Sequence, residues 1–438
     1  MGRAMTEVTN IFAAKGIIPR LVMGAALSMG GGLALSTLCA TYLLVPSLAQ
    51  AAEEPAKPKL SKQVAVPLQA AQNAMKIKKW DTAIAEIKKA QAVEKKTPAE
   101  DYQIDEFLGY VLVQQKKYDQ AAVVYERMLN SGLVPAEQVD DRTKAVAQMY
   151  FQEKQYAKAA TWAKKWLDKH SRDEDMGVLL AQSYYLLDDY KNAASSMSKV
   201  VSNVERAGQA PKENYLQIIL SSQFKLDNKE GIADALKKMV RYYPKENYWN
   251  NLLDIYRRKN TSDRVTLGYY RLMNNVGVLK EKADYMESAQ LAIEAGVPGE
   301  AQHLVESGMQ NGILKSADKT EQSRYDRLLA AAKKQATADR ASLTQLAKDA
   351  EKATKGQADV ALGQAYLSYD MYDQAIASLE RGIKKGGVLD ADEAQISLGL
   401  AYLKKGQKSE AREAFKAVKS DSKWADLADL WAVYAQSA

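Results

Sequence analysis

Residues Asp359 to Val418 read DVALGQAYLSYDMYDQAIASLERGIKKGGVLDADEAQISLGLAYLKKGQKSEAREAFKAV, and the same pattern runs through the stretch twice. The first copy sets out Leu362-Gly363, Tyr366, Tyr372, Ala375 and Leu379. The second sets out Leu398-Gly399, Tyr402, Gly406, Ala411 and Phe415, with five matched positions 36 residues apart. Leu362, Gly363 and Tyr366 stand at i, i+1 and i+4, which share one face of a helix. Glycine inside a helix costs about 1 kcal/mol against alanine. A helical glycine here therefore predicts a second helix lying close against it. Ala375 and Leu379 are the matching small and large contacts on that second helix. Neither helix of such a hairpin has enough apolar surface to bury alone, so the hairpins must stack.

These residues resemble the tetratricopeptide repeat, with its Leu-Gly-x2-Tyr, a turn, and Ala-x3-aromatic. Aligning on the small residue of the second helix extends the pattern over the chain: Ala83, Ala121, Ala159, Ala193, Ala233, Val265, Ala301, then Ala375 and Ala411. The gap from Ala301 to Ala375 is twice a repeat, which places one degenerate unit near Ala338. The clearest outlying copies are Leu108-Gly109 with Tyr118, Ala121 and Tyr125, and Leu180-Ala181 with Tyr184, Tyr190, Ala193 and Met197. The resemblance implies an all-α solenoid of about ten antiparallel helix pairs wound into a right-handed superhelix. Leu427, Leu430, Trp431 and Tyr434, at i, i+3, i+4 and i+7, add a C-terminal capping helix.

The chain is organised around this array. Residues 64–312 are expected to form an N-terminal array and 357–420 two clear units, with the cap at 421–438. Residues 313–356, rich in Ala, Lys and Gln, are either an eroded repeat or one long helix. Residues 52–63 form a flexible linker rich in Pro and Lys. Ahead of it, Lys15 and Arg20 precede an uncharged run from Leu21 to Val45. Pro46 and Ala49-Gln50-Ala51 then supply a break and the small residues of a cleavage site. Residues 1–51 are thus expected to be a signal peptide cut after Ala51, placing the repeats in the periplasm or beyond. An uncleaved inner-membrane anchor is the alternative, since about 25 apolar residues can span a bilayer. Tyr248 to Leu253 and Gly296 to Ala301 are in addition similar to exported repeat proteins of proteobacteria, which implies a bacterial envelope protein.

Composition agrees with helices and offers little chemistry. Of 438 residues only 10 are proline, and Tyr (24) far outnumbers Phe (5), which suits half-solvated aromatic positions. The formal charge of +7 falls to +5 without residues 1–51, too mild to argue for nucleic acid. Cys39 is the single cysteine and lies in the N-terminal apolar run, so the remainder forms no disulfide. His170 and His303 belong to different repeats and read as structural. Ser-x-x-Lys occurs at Ser196, Ser316 and Ser420 without the partner motifs that a serine acyl-transferase needs. The acidic pairs Asp140-Asp141 and Asp188-Asp189 read as a helix start and a turn. No enzyme, cofactor or metal site is expected.

Binding remains. In the repeat the position two after the packing leucine of the first helix points into the concave groove. That register gives Tyr110, Gln148, Gln182, Ser222, Asp254, Gln290 and Gln364, with Tyr185, Tyr215 and Arg257 beside them. Such a polar row suits an extended peptide or another envelope protein held by side-chain hydrogen bonds. The expected function is a non-catalytic scaffold or adaptor of the bacterial cell envelope. The alternative is a polysaccharide- or peptidoglycan-binding component of an export or assembly system, in which exposed rings stack on sugars. The two differ in one respect: glycan binding requires a row of exposed aromatic rings.

Overall fold

A computed structural model of the protein describes residues 60–258 and 262–437. Residues 1–51, the cleavage position after Ala51, and most of the expected linker lie outside the described residues. Every regular element described is an α-helix, and there are 20 of them. None is long and apolar enough to cross a membrane. The described residues divide into two compact units, one ending at Ile232 and the other beginning at Ala233.

The first unit is a run of hairpins: α1 (Lys62–Lys76) with α2 (Trp80–Gln91), α3 (Pro98–Gln114) with α4 (Tyr118–Asn130), α5 (Ala136–Gln152) with α6 (Tyr156–Leu167), and α7 (Glu174–Leu186) with α8 (Tyr190–Arg206). Helix α9 (Glu213–Lys225) follows, and the division falls within α10 (Lys229–Tyr242). Helix α1 begins at Lys62, inside the stretch expected as linker.

One turn is used over and over. Lys78, Lys116, Lys154 and Asp188 have φ between 56° and 59°. After each, an amide donates to the carbonyl five residues back: Lys79 to Ala74, Lys117 to Leu112, Gln155 to Tyr150 and Asp189 to Tyr184, all at 2.9 Å. This bond satisfies a helix-end carbonyl and requires a left-handed residue just before the donor. Glycine fits that position best. Lysine and aspartate there cost roughly 1–2 kcal/mol each, which the stacked core outweighs.

The predicted packing residues meet as their spacing implies. Ala83, Ala121, Ala159 and Ala193 are wholly buried. A Cβ on Gly109 would sit 3.2 Å from the Tyr125 ring, and one on Gly177 would sit 2.5 Å from Val200. Ion pairs tie hairpin to hairpin at the edges, among them Arg142 to Glu106 at 2.9 Å and Lys144 to Asp173 at 2.9 Å. One expectation fails here. Asp140-Asp141 do not precede a helix, because Pro135 sets the start of α5 at Ala136. Asp140 lies a turn inside and pairs with His170 at 2.9 Å, whose ring stacks on Trp166.

The second unit holds the hairpins α11 (Glu246–Arg257) with α12 (Asp263–Asn275), α13 (Lys282–Glu294) with α14 (Pro298–Gln310), α16 (Gln357–Ser368) with α17 (Tyr372–Lys385), and α18 (Ala391–Lys404) with α19 (Lys408–Lys416). Between α14 and α16 runs α15 (Lys319–Lys352), a single helix of 34 residues. No turn occurs near Ala338. The stretch contains neither Gly nor Pro, and its Ala, Lys, Gln and Glu favour helix throughout. It buries one stripe, Tyr325, Ala332, Ala336, Leu343 and Ala350, at near-heptad spacing.

The chain ends in α20 (Ala425–Ser437). It covers α19, with Trp431 stacked on Phe415 at 6.1 Å. Its other side lies against the start of the unit. Tyr434 meets Trp249 of α11 edge-on at 6.4 Å, and Asp429 pairs with Lys237 of α10 at 2.5 Å. Leu427 lies directly over Gly268 of α12. Leu427, Ala428, Leu430, Trp431, Val433 and Ala435 are all buried, so the helix is apolar on two faces and packs on both. Arg264 to Glu393 at 2.7 Å and Lys404 to Asn275 at 3.0 Å join α12 to α18 as well. The second unit is therefore closed on itself.

Candidate functional site

In the first unit the first helices lie side by side, α1 by α3, α5 by α7 and α7 by α9. Tyr110, Gln148, Gln182 and Tyr185 stand on α3, α5 and α7, each half-buried. Tyr110 meets Trp80 edge-on at 6.3 Å. The Tyr185 hydroxyl lies 2.7 Å from Ser221 Oγ on α9, and its ring meets Tyr190 edge-on at 5.3 Å. Burial pushes the Tyr185 phenol above its ordinary range. These four residues thus belong to successive first helices of one unit, as the repeat register requires. Ser222, which the register also gives, is wholly buried on α9; its neighbour Ser221, which anchors Tyr185, is passed over by the register.

In the second unit the residues singled out from sequence separate. A cavity of about 280 Å³ opens among α12, α14, α16, α18 and α20, alternate helices along the chain. Buried Leu267, Leu304, Leu400 and Trp431 form its apolar part. Arg271 and Glu300 cross one wall as a bidentate pair, at 2.8 and 2.7 Å. Gln364 Nε2 donates to Ser397 Oγ at 3.1 Å on another wall. Asn274, His303, Asp370 and Lys404 stand exposed at the rim.

Only Gln364 of the predicted groove residues lines this cavity. Asp254, Arg257 and Gln290 lie on α11 and α13, the intervening layer. Arg257 donates to Asp284 at 2.7 Å and to the Tyr270 hydroxyl at 3.0 Å, with Asp254 at 3.5 Å. Burial disfavours the Arg257 charge, and the Tyr270 and Asp284 partners more than restore it. Gln290 is exposed and donates to Glu294 at 2.8 Å. The cause is α15. Before it, second helices (α12 and α14) face the cavity; after it, first helices (α16 and α18) do. One helix in place of a hairpin keeps the layers alternating but exchanges which helix of the repeat faces inward.

Two further features bear on chemistry. Among the described residues no group of three or more His, Cys, Asp and Glu side chains is placed to hold a metal ion. Among the described residues no aromatic ring is fully exposed; each is buried or half-buried.

Comparison with known proteins agrees with the hairpins. A tetratricopeptide-repeat family model matches residues 68–136 and 360–425. A model described as anaphase-promoting complex, cyclosome, subunit 3 matches residues 114–200. No curated protein matches the chain. Among solved structures the chain is similar to a tetratricopeptide repeat protein from Parabacteroides merdae ATCC 43184, at 13% identity over 78% of this chain and 99% of that one, with a TM-score of 0.28. It is similar to MamA from Desulfovibrio magneticus RS-1, at 14% identity over 46% and 100%, TM-score 0.26. It is also similar to the TPR2AB domain of yeast Sti1 in complex with pHSP90, at 14% identity over 69% and 100%, TM-score 0.22. With its Leu-Gly and Ala contacts buried as the pattern requires and the family's model matched at both ends of the array, the chain is a tetratricopeptide-repeat protein.

Proposed function

We propose that the protein is a non-catalytic scaffold of the bacterial cell envelope that binds another protein along the first-helix face of its N-terminal unit. The observation that carries this is the placement of Tyr110, Gln148, Gln182 and Tyr185, half-buried and polar, on successive first helices of a stacked repeat array. A repeat surface presents such groups at regular intervals, which suits an extended partner segment held by side-chain hydrogen bonds. The envelope location rests on the apolar run Leu21 to Val45 and the small residues before Ala52. A glycan-binding role is the weaker reading, because sugar stacking wants fully exposed rings in a row and the described aromatic side chains are packed.

The test is capture from envelope extract after crosslinking, with the full chain as bait, read by mass spectrometry. The expected result is a small set of proteins held by the wild type and lost with Gln148→Ala/Gln182→Ala. Equal capture by wild type and variant would remove the face from consideration. Retention on cell-wall polysaccharide with no protein partner would replace the scaffold by the glycan reading. The mature N-terminus, read from the same preparation, should begin at Ala52.

A further inference from the structure

The cavity of the second unit is separate from the face just proposed, and it has the features of a small-molecule site. Its volume, about 280 Å³, falls just below the usual range for drug-sized ligands and suits a smaller molecule. Its inner part is apolar, formed by Leu267, Leu304, Leu400 and the Trp431 ring. Trp431 is wholly buried, and its indole Nε1 has no hydrogen-bond acceptor.

Charge decides the kind of ligand. Glu300 is taken up by Arg271 in a bidentate pair. Asp370 accepts the Tyr372 hydroxyl at 2.6 Å and faces His303 at 3.8 Å. Both carboxylates at the cavity are thus engaged. Lys404 differs. Among the described residues its ammonium meets only the neutral Asn275 amide oxygen, at 3.0 Å, and no acid pairs with it. An organic cation would find no free carboxylate, whereas an anion would find a free ammonium at the rim.

We propose that this cavity binds a small organic anion with an apolar body, such as an aryl or branched-alkyl carboxylate. The body lies against the apolar part at Leu267, Leu304 and Leu400, and the carboxylate pairs with Lys404. The site exists because α20 closes the unit, since Trp431 is carried on that helix.

The experiment is calorimetric titration of the full chain with three probes of one size: phenylacetate, benzylammonium and benzyl alcohol. Phenylacetate should bind in the millimolar range or tighter, and the other two weakly or not at all. Lys404→Gln, at an exposed position that leaves the fold intact, should weaken phenylacetate roughly tenfold or more. Leu304→Trp, which fills the cavity, should abolish binding of all three. Ser307→Phe at the wall serves the same purpose if Leu304→Trp does not fold. Benzylammonium binding as tightly as phenylacetate would overturn the proposal. So would phenylacetate binding that Lys404→Gln and the filling variants leave unchanged, or no binding of phenylacetate to the folded chain.

Discussion

A side chain on Gly268 would occupy the space that Leu427 fills. The missing Cβ of α12 is what admits Leu427 Cδ2, with Trp424 Cζ3 3.7 Å away. The helix accepts glycine's propensity penalty at this point because the last helix of the chain lands there. Gly268→Val is therefore expected to destabilise the protein by about 1–3 kcal/mol through overpacking. Denaturant unfolding followed by near-UV circular dichroism measures it. Combined with Leu427→Ala, the loss should be smaller than the sum of the two singles, because the valine then fills part of the space vacated. Strict additivity would mean that the two residues do not share the site.

Asp359 opens α16 with no exposure to solvent, and Arg381 and Lys385 of α17 reach it at 2.6 and 2.8 Å. The carboxylate is thus held between two cations across one hairpin. Removing one side of a buried pair leaves charge without compensation and typically costs 3–5 kcal/mol. The cations keep some contact with water, so Asp359→Ala should cost about 3 kcal/mol, at the low end of that range. Arg381→Ala, which leaves Lys385 in place, should cost less. Equal small effects of both changes in thermal unfolding would show that the pair is screened and unimportant.

Glu100 ties together two helix starts. Its carboxylate accepts the Thr97 amide at 2.8 Å, completing a capping box at α3, and the Ser61 amide at 2.7 Å, just ahead of α1. The Thr97 amide, then the Ser61 contacts, hold the carboxyl well below its ordinary 4.5, at about 2. A pKa lower in the folded state means that the folded protein resists protonation. The stabilisation is present in full above pH 4.5 and is lost as pH falls through about 2. Wild-type stability should therefore decline across that window. Glu100→Gln should start lower at neutral pH and show a shallower decline. Parallel pH curves for the two proteins would rule out Glu100 as the cause.

Much of this fold is legible from residues such as Gly363 and Leu379. Wherever a small residue had to admit a large one a fixed number of positions on, the spacing announced the contact. A Cβ on Gly363 would stand 2.5 Å from Leu379, as that reading requires. The recurring turn was legible at Asp188-Asp189, which read as a turn, and harder to see at Lys78, Lys116 and Lys154, whose backbone conformation normally signals itself through glycine. Less legible was anything set by α15. The repeat register assigns Asp254 and Gln290 to the inward face on the assumption that every unit is a hairpin. A single long helix changes the parity between the helices before it and those beyond it, so the first-helix residues Asp254 and Gln290 do not line the cavity that Gln364 lines. Closure by α20 was likewise hidden. Leu427 to Tyr434 reads as one apolar face toward α19, and only the structure supplies the second surface, at Trp249 and Gly268.

The contact of α14 with α16 offers the sharpest test of that altered stacking. Gly299 sits in the first turn of α14. A Cβ there would lie 2.5 Å from Tyr369 Cε1 and 2.6 Å from the backbone oxygen of Ser368. Tyr369 is itself held on α15, 2.8 Å from the Asp339 carboxylate and 3.1 Å from the Ala336 carbonyl. The three helices thus meet where the parity changes. Alanine for glycine in a helix ordinarily stabilises by about 1 kcal/mol. Here neither the Ser368 backbone nor the tethered Tyr369 ring can withdraw cheaply, so the sign should reverse. Gly299→Ala is expected to destabilise by about 1–3 kcal/mol. Tyr369→Phe, which frees the ring from α15, should lessen that cost when combined with it. A stabilised Gly299→Ala protein in chemical denaturation would mean that α14 and α16 do not approach this closely.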